Sequence, residues 1–377
     1  MANWDAIVIG LGGAGSAAAY HLAARGCRVL GLDQHHRGHA LGSSHGKTRI
    51  IRQAYFEHPS YVPLLRRAYQ LWNELQLAYG EQLYHPTGLV ELGPADGVVI
   101  PGVLRSAAEH GLAIEELSVD EVAHRWSGFA GPRLRQHGDW RAVIEKDAGY
   151  LRVEDCVEAH LRLAEQASAT LRHDRPVRQW RTTGQGVEVT TDDGIEVAAK
   201  LVIAGGPWNG TLLSSHGIRL RVLRKYQYWY RPKLSGYAQH DGFPCFFHET
   251  PTGYFYGFPG IGDEGLKVAR HSGGTPVESP TSPHPIDREE QRQIEDFLKG
   301  YLPGVGAQLK AQSGCYYTMT ADEHFVVDLI PNAPQVAVVA GLSGHGFKFT
   351  SVMGELASQL AIDGETMLDT SLLRFGR

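Results

Sequence analysis

The feature that most constrains the fold is a glycine-rich turn near the start of the chain. Residues 10–15 read Gly-Leu-Gly-Gly-Ala-Gly and match the pattern GxGxxG. The apolar segment Asp5–Ile9 before them predicts a buried strand, and the Ala-rich segment Ser16–Ala24 after them favours a helix. Val29–Asp33 predicts a second strand. This order of strand, turn, helix and strand is typical of a dinucleotide-binding α/β domain.

Each glycine of the motif has a physical role in such a site. Gly10 permits the tight turn, Gly12 lets the backbone approach a pyrophosphate, and Gly15 lets the helix pack close to the strand. Asp33 ends the second strand, where a carboxylate can accept hydrogen bonds from an adenosine ribose. The motif does not separate FAD from NAD, and a glycine-rich turn in another α/β fold is the structural alternative.

The rest of the chain contains further helix and strand signals. Residues 34–48 are polar and rich in Gly and His, which predicts irregular structure, whereas the aromatic and β-branched residues of 222–271 predict an antiparallel sheet. Short apolar runs predict strands at Lys200–Ala204 and Val336–Ala340. Helices are predicted at Tyr61–Leu75, after the capping-box sequence that begins at Ser118, and at Glu154–Ala167, Asp287–Tyr301 and Thr350–Ile362.

Bulk composition excludes several functional classes. The chain has 377 residues, which favours two domains, and a net charge of −5 without a Lys/Arg run, so a nucleic-acid partner is not expected. No apolar stretch is long enough to span a membrane, and the first residues lack the pattern of a secretory leader. The four cysteines are scattered without a CxxC pair, and HExxH is absent, so we expect no disulfide framework, no metal site and a cytoplasmic location.

Four stretches, in order along the chain, resemble the monomeric sarcosine oxidase family, which includes N-methyltryptophan oxidase. They are the motif at 10–15, the segment 42–55 (GSSHGKTRIIRQAY) with Tyr61-Val62-Pro63-Leu64, the segment from Tyr256-Gly257-Phe258-Pro259 to His271, and the segment 315–325 (CYYTMTADEHF) with 341–349 (GLSGHGFKF). The last of these is the most specific. One departure is that family members often read Ser-His-His-Gly-Asp where this chain has Ser43-Ser44-His45-Gly46-Lys47.

The resemblance implies a two-domain fold of the α/β plus α+β class. It is a Rossmann-like FAD-binding fold with an antiparallel-sheet substrate domain, as in sarcosine oxidase and D-amino-acid oxidase-like flavoproteins. We expect residues 1–85, 145–215 and 320–377 to form a discontinuous FAD-binding domain. Residues 86–144 and 216–319 are then the substrate domain, and the flavin lies between the two.

The resemblance also implies an activity. Such an enzyme is an FAD-dependent oxidase that converts a small N-methyl or secondary amino acid to an imine, which hydrolyses, and reduces O₂ to H₂O₂; an N-methyl substrate releases formaldehyde. It acts as a monomer on an amino acid and O₂. Sarcosine, N-methyltryptophan, proline and pipecolate all remain open as substrates. The alternatives are an NAD-dependent dehydrogenase, a flavoprotein dehydrogenase that passes electrons to a partner, and a non-catalytic flavin-binding subunit.

By the same resemblance, FAD is attached covalently to Cys315. A thioether requires a thiolate nucleophile, which nearby positive charge favours, and Arg49 corresponds to the family residue that assists this step. Lys267 corresponds to the lysine that promotes reaction with O₂, because a fixed cation stabilises superoxide as it forms. The structural alternatives are a small buried hydrophobic cysteine and an edge-strand lysine that discourages aggregation.

The resemblance further implies that two cations and a wall of aromatic residues bind the substrate. Arg52 grips a carboxylate with two parallel hydrogen bonds, and Lys348 adds a point charge. The remaining candidates are His271 and Tyr317, assigned as catalytic, Tyr256 and Tyr55, assigned to substrate binding, and Ser43, Gly344 and Gly346, assigned with Gly10, Gly12, Gly15 and Asp33 to the cofactor. Solvated surface charge and ordinary aromatic packing are the corresponding structural alternatives.

Overall fold

A computed structural model of the protein describes residues 3–280, 285–306 and 308–376. Its helices are α1 (Gly13–Ala24), α2 (Val62–Tyr79), α3 (Val99–His110), α4 (Val119–Arg125), α5 (Val153–Gln166), α6 (Asn209–Leu212), α7 (Arg288–Tyr301) and α8 (Thr350–Asp363). Its strands are β1 (Trp4–Ile9), β2 (Val29–Leu32), β3 (Thr48–Ile51), β4 (Tyr84–His85), β5 (Leu89–Pro94), β6 (Glu115–Ser118), β7 (Trp140–Glu145), β8 (Gly149–Arg152), β9 (Thr170–Arg172), β10 (Val177–Thr183), β11 (Gly186–Thr191), β12 (Gly194–Ile203), β13 (Arg221–Tyr230), β14 (Cys245–Thr250), β15 (Gly253–Phe258), β16 (Leu266–Arg270), β17 (Thr275–Val277), β18 (Leu309–Met319), β19 (Val326–Ile330) and β20 (Ala333–Ala340).

An eight-stranded sheet holds the glycine-rich turn. Its order is β10-β11-β12-β1-β2-β9, with β20 beside β12 and β19 beside β20. The pairs β1/β12, β1/β2, β2/β9 and β12/β20 are parallel. Alternate residues of β1 point to opposite faces: Ala6 and Val8 pack with the helices α1, α2, α5 and α8, and Ile7 and Ile9 pack on the other side. The turn therefore follows a strand that is buried on both faces.

A nine-stranded sheet supplies the second half of the molecule. Its order is β17-β13-β16-β15-β14-β5-β7-β6, with β18 beside β13. Most pairs are antiparallel, including β13/β16, β14/β15 and β15/β16, but β14 pairs with β5 in parallel. One face carries an aromatic core with Phe246, Phe255 and Phe297 of α7, while Phe247 and Tyr256 belong to a separate cluster on the opposite face. A three-stranded sheet, β3-β8-β4, completes the topology.

The local sequence signals correspond closely to these elements. The capping box at Ser118 is present, because its Oγ accepts from the Glu121 amide and Glu121 bonds back to the Ser118 amide. Asp287 caps α7 by accepting from the amides of Glu289 and Glu290. The predicted strand at Lys200–Ala204 is the end of a longer strand that begins at Gly194, since its first half pairs with β11.

Candidate active site

A single long cavity of about 530 Å³ connects the glycine-rich turn with the aromatic face of the nine-stranded sheet. Most of the residues predicted from the sequence line it. They are Gly10, Gly12, Asp33, Ser43, Arg49, Arg52, Tyr256, His271, Tyr317, Gly344, Gly346 and Lys348. Gly15, Tyr55, Lys267 and Cys315 are not among the lining residues, and all four are buried.

At the nucleotide end, the glycines are required by close contacts. Gly10 has φ +88°, and a Cβ there would lie 2.6 Å from the carbonyl oxygen of Ala204. A Cβ on Gly15 would lie 1.7 Å from the carbonyl oxygen of Gly10, which no shift of a flexible side chain could relieve. At Gly12, by contrast, the nearest atom is Oγ of Ser44 at 3.5 Å. An alanine at position 12 would therefore not clash with the rest of the protein, but its Cβ would lie at the cavity wall.

Asp33 closes this end of the cavity from the neighbouring strand. Its carboxylate accepts from the amide of Leu11 at 2.7 Å and from the amide of His35 at 2.9 Å. The first bond ties the end of β2 to the glycine-rich turn, and each carboxylate oxygen keeps a second lone pair for a ligand hydroxyl. Ser44, which departs from the family pattern, accepts from the Gly13 amide at 3.0 Å at the start of α1.

The middle of the cavity is organised by Arg49. Its guanidinium donates to the carbonyl oxygens of Thr48 and Ser43, both at 2.9 Å, and to Oε1 of Gln227 at 3.2 Å. Ser43 in turn donates through Oγ to the carbonyl oxygen of Tyr316 at 2.6 Å. Arg49 thus fixes the 43–48 segment against the strands β13 and β18.

Cys315 lies in β18, next to the cavity-lining residues Tyr316 and Tyr317. Its side chain is 2% exposed and packs with Leu223, Tyr317 and Met319. Its cross-strand partner is Lys225, a fully buried lysine whose Nζ donates to the carbonyl oxygen of Ser272 at 2.8 Å. A buried cation therefore lies opposite the thiol in the β13/β18 pair.

At the other end of the cavity, Arg52 is buried and held on several sides. Nη2 donates to both carboxylate oxygens of Glu57, at 2.9 and 2.8 Å, and Nη1 donates to the carbonyl oxygen of Ala54 at 3.0 Å. The guanidinium carbon lies 4.4 Å from the ring centroids of both Tyr55 and Phe56. The two aromatic rings and the ion pair through Nη2 together fix the direction of the guanidinium.

Lys348 approaches the same region from the loop before α8. Its Nζ donates to the carbonyl oxygen of His345 at 2.8 Å and lies 5.1 Å from the ring of Tyr55. Burial, together with the Arg52 charge, lowers the pKa of Lys348 to about 7. Tyr55 itself is fully buried, and its hydroxyl bonds to Nδ1 of His345 at 2.5 Å. Tyr55 therefore supports both cations from behind.

Aromatic and imidazole groups form the wall beside these cations. The Tyr317 hydroxyl lies 3.4 Å from Nδ1 of His271, and the ring of Tyr256 is 6.3 Å from that of His271. Burial lowers the pKa of His271 to about 3, so its imidazole is neutral at physiological pH. The ring of Tyr317 packs on Gly344, where a Cβ would lie 2.3 Å from the ring, so this glycine sets the position of the wall.

Lys267 does not reach the cavity. Its Nζ donates to the carbonyl oxygens of Gly46 at 2.6 Å and Thr48 at 2.8 Å, and Thr48 Oγ1 lies at 3.3 Å. Burial lowers the pKa of Lys267 well below its ordinary value. The lysine therefore braces the segment that precedes Arg49, while its charge lies one layer behind the cavity.

Sequence reasoning did not identify Glu57 and Glu91, two carboxylates that face Arg52. Glu57 lines the cavity, and Oε1 of Glu91 lies 3.5 Å from Nη1 of Arg52. Glu91 carried a signal in the sequence, since it is the charged residue in the apolar strand Leu89-Val90-Glu91-Leu92. Lys47, the other departure from the family pattern, has φ +70° and pairs with Glu264 at 3.1 Å, away from this cluster.

The cavity fits FAD in its shape and chemistry. Its volume lies within the roughly 300–1,000 Å³ of small-molecule and cofactor sites. One end has the backbone turn, the helix N-terminus and the carboxylate that a dinucleotide requires, and the other has apolar and aromatic walls that suit a planar ring. Gly10, Gly12 and Asp33 would hold the nucleotide part, and Ser43, Arg49 and the 341–349 loop line the intervening region.

Within residues 3–280, 285–306 and 308–376, no group of three or more His, Cys, Asp or Glu side chains is placed to hold a metal ion. None of the helices in this described part of the chain combines the length and apolar character of a membrane-crossing helix.

Comparison with known proteins agrees with this geometry. Residues 5–360 match the family described as "FAD dependent oxidoreductase". The chain is 38% identical to monomeric sarcosine oxidase from Arthrobacter sp. (strain TE1826), over 100% of this chain and 96% of that protein. It is 36% identical to N-methyl-L-tryptophan oxidase from Yersinia pestis (strain Pestoides F), over 100% of this chain and 99% of that protein.

Solved structures share the fold over almost the whole chain. The open form of NikD, described as an unusual amino acid oxidase essential for nikkomycin biosynthesis, aligns with a TM-score of 0.85 and 26% identity, covering 99% of this chain and 98% of that one. Glycine oxidase from Geobacillus kaustophilus has the same fold, with a TM-score of 0.81 at 20% identity, covering 99% of this chain and 98% of that one. The predicted fold class and the predicted family are thus confirmed, and the chain belongs to the FAD dependent oxidoreductase family.

Proposed function

We propose that the protein is an FAD-dependent oxidase of a small N-methyl or other secondary amino acid. The observation that carries the proposal is the pair of buried cations, Arg52 and Lys348, that line the cavity at the end remote from the glycine-rich turn. Relatives that are 36–38% identical over the full chain bear the names monomeric sarcosine oxidase and N-methyl-L-tryptophan oxidase.

The two cations suit the carboxylate of an amino acid. A carboxylate moved from water into this buried region is costly unless it is paired, and the planar fork of Arg52 and the point charge of Lys348 supply partners from two directions. Nη2 of Arg52 is already paired with Glu57, so a substrate carboxylate must share or replace that contact. Glu57 lines the cavity and keeps 16% of its side chain exposed, which leaves it room to turn away.

The substrate nitrogen then lies toward the wall of Tyr256, Tyr317 and His271. A neutral His271 can accept a hydrogen bond from the amine, and the aromatic rings accommodate an N-methyl group or a small ring. FAD, when bound, supplies the two-electron acceptor that takes a hydride from the carbon next to nitrogen and is restored by O₂. The net products are an imine, which water hydrolyses to formaldehyde and an amino acid when the substrate is N-methylated, and H₂O₂.

Covalent attachment of FAD to Cys315 belongs to the same proposal. It is supported by the place of the thiol next to the cavity-lining residues Tyr316 and Tyr317 in β18, with Lys225 opposite. We further propose that Lys267 supports the reaction with O₂ through its buried charge, and that the enzyme is a cytoplasmic monomer whose domains follow the division given above. The free thiols of Cys27, Cys156, Cys245 and Cys315 are consistent with a reducing compartment.

The substrate within this class is best identified by screening. Sarcosine, N-methyltryptophan, proline and pipecolate should be mixed anaerobically with the yellow protein, and bleaching of the flavin should be followed. Rapid bleaching by one of them together with rapid recovery in air supports the oxidase. Bleaching with slow recovery in air favours a flavoprotein dehydrogenase, and no bleaching by any secondary amino acid contradicts the proposal.

The carboxylate site has a sharper test. We expect Arg52→Lys and Lys348→Met to lower kcat/KM for an N-methyl amino acid by the equivalent of about 2–5 kcal/mol, because a buried charge-assisted contact is lost. The same variants should have little effect on the decarboxylated amine, which never uses the contact. Lys310→Met, which removes an exposed lysine, serves as the control.

Equal proportional losses on both substrates would show that Arg52 and Lys348 shape the site without binding the carboxylate. Arg52→Lys is preferred to Arg52→Ala because it keeps a positive charge beside Glu57 and Glu91 and so limits the damage to folding.

A further inference from the structure

The carboxylate site contains one buried acid that the proposed reaction does not use. Glu91 lies in β5, is 1% exposed and does not line the cavity. Its Oε1 lies 3.5 Å from Nη1 of Arg52 and has no hydrogen-bond partner within residues 3–280, 285–306 and 308–376. An ionised carboxylate that is buried with so few hydrogen bonds is costly, so its protonation state is sensitive to any charge added nearby.

Glu91 differs from the neighbouring carboxylates in two respects. It does not border the cavity, and its Oε1 has no hydrogen-bond partner in the described part of the chain. Glu57 makes two bonds to Arg52 and borders the cavity. Glu145, which approaches from β7, accepts from the backbone amides of Gln53 at 2.7 Å and Ala54 at 2.8 Å. Glu57 can therefore move, and Glu145 has two amide donors that partly offset the burial that raises its pKa, while Glu91 can respond only by gaining or losing a proton.

The charges of the cluster make this response necessary when a substrate binds. Arg52 and Lys348 are the cations that face Glu91, and Glu57 and Glu145 are the neighbouring acids; the phenol of Tyr55 is also close. Before binding, Glu57 pairs with Arg52, and Glu91 adds a second negative charge only where it is ionised. A substrate carboxylate at Arg52 and Lys348 adds a further negative charge to a region that excludes water, where like charges repel strongly.

We propose that Glu91 determines how tightly the carboxylate is bound, because Glu91 must be neutral in the complex and takes up one proton on binding wherever it is ionised in the free protein. This inference rests on the proposed function, which places the substrate carboxylate at Arg52 and Lys348. Glu91 acts through Arg52 and is a positioning residue that tunes affinity without touching the substrate.

The residues around Glu91 set the pH range in which it affects carboxylate binding. Burial raises the pKa of Glu91 to about 8, with Glu145 and Glu57 acting in the same direction and Arg52 and Lys348 opposing them. Below that pH Glu91 is already neutral in the free protein, and binding is unhindered. Above it, each further pH unit weakens carboxylate binding by up to about tenfold, because the anion must first be protonated.

Lys348 titrates nearby, so the pH profile of the wild-type protein cannot by itself assign the effect to Glu91. The experiment therefore compares variants at each pH. Binding of acetate, which does not titrate above pH 6.5, is measured on the holoenzyme of wild type and Glu91→Gln by the change in flavin absorbance and by calorimetry. The ratio of the two dissociation constants, wild type over variant, should rise about tenfold between pH 6.5 and pH 9.

Two further variants test whether the change in the ratio is caused by Glu91. In a Lys348→Arg background the cation stays charged throughout, so the ratio should still rise with pH when Glu91→Gln is added. Glu116→Gln removes an exposed carboxylate of the same sheet and should leave the ratio flat. If Glu91→Gln does not yield folded holoenzyme, Glu91→Met is a second neutral replacement for the strand.

The outcomes separate the two proposals. A ratio that stays constant between pH 6.5 and pH 9 in both backgrounds overturns the role of Glu91 while leaving the carboxylate site intact. Failure of acetate to bind the wild-type holoenzyme at any pH overturns the carboxylate site of the proposed function and this inference with it.

Discussion

The two ends of the cavity are built in opposite ways. The nucleotide end is made of backbone: the 10–15 turn, the start of α1 and the amides that bond to Asp33. The substrate end is made of side chains that come from distant parts of the chain, with the buried Arg52 before α2, the half-buried His271 after β16 and the buried Lys348 before α8. One end is defined by close backbone contacts, and the other by the charge of its side chains.

The two ends are therefore sensitive to different kinds of substitution. At the nucleotide end, an added methyl group is the damaging change, because the chain leaves no room for it. At the substrate end, a change of one charge is damaging, because Arg52, Lys348, Glu57 and Glu91 interact with one another in a largely buried cluster.

The largest effect is expected at Gly15. Gly15→Ala places a Cβ 1.7 Å from the carbonyl oxygen of Gly10, so α1 must move away from β1, and we expect a loss of roughly 3 kcal/mol or more of stability together with the flavin. Gly12→Ala should keep the melting temperature of the apoprotein, since its nearest neighbour is at 3.5 Å, yet should also lose the flavin. Thermal unfolding and flavin content measure the two effects separately.

The pair Gly15 and Gly12 tests whether the turn faces a pyrophosphate. If Gly12→Ala binds FAD as tightly as the wild type does, the backbone at Gly12 is not where the cofactor approaches.

The next effect is at Cys315, between the two ends. Wild-type protein denatured in acid should carry flavin absorbance on the chain, whereas Cys315→Ala should release all of it into the supernatant while the fold survives. Cys245→Ala, which removes another buried free thiol, is the matched control and should retain the flavin. Free flavin released from the denatured wild type would contradict covalent attachment.

The contrast between the two ends also explains which parts of the site could be predicted from the sequence. The turn at 10–15, the capping box at Ser118 and the cap of α7 at Asp287 are local, so residue types at fixed spacing suffice to predict them. Residues 34–48 were expected to be irregular throughout, but β3 begins at Thr48 because it pairs with β8, about a hundred positions later in the chain. Local propensity carries no information about such a partner.

Local sequence patterns also do not reveal which charged residues pair at the substrate end. The cations of the substrate end were predicted only through the family resemblance, and their partners Glu57 and Glu91 were not predicted at all. An ion pair between Arg52 and Glu91 depends on β5 passing beside the segment before α2. The parallel pairing of β5 with β14 is a long-range contact that no local pattern indicates.

The smallest of these effects, and the one that most sharpens the comparison, concerns Lys267. If its charge serves the reaction with O₂, Lys267→Met should slow reoxidation of the reduced holoenzyme by roughly a hundredfold or more, as for other fixed groups that stabilise a developing negative charge, and should leave reduction by substrate nearly unchanged. Yet Nζ of Lys267 is held by the carbonyl oxygens of Gly46 and Thr48, immediately before Arg49. Loss of these bonds alone would disturb the 46–49 segment and affect both half-reactions.

Lys267→Gln separates the two roles, because it can still donate to a carbonyl but carries no charge. Stopped-flow traces that show slow reoxidation with normal reduction in both variants would place Lys267 with the charges of the substrate end. Equal losses in both half-reactions for Lys267→Met, largely restored in Lys267→Gln, would instead show that it serves as a brace for the backbone, like the groups of the nucleotide end.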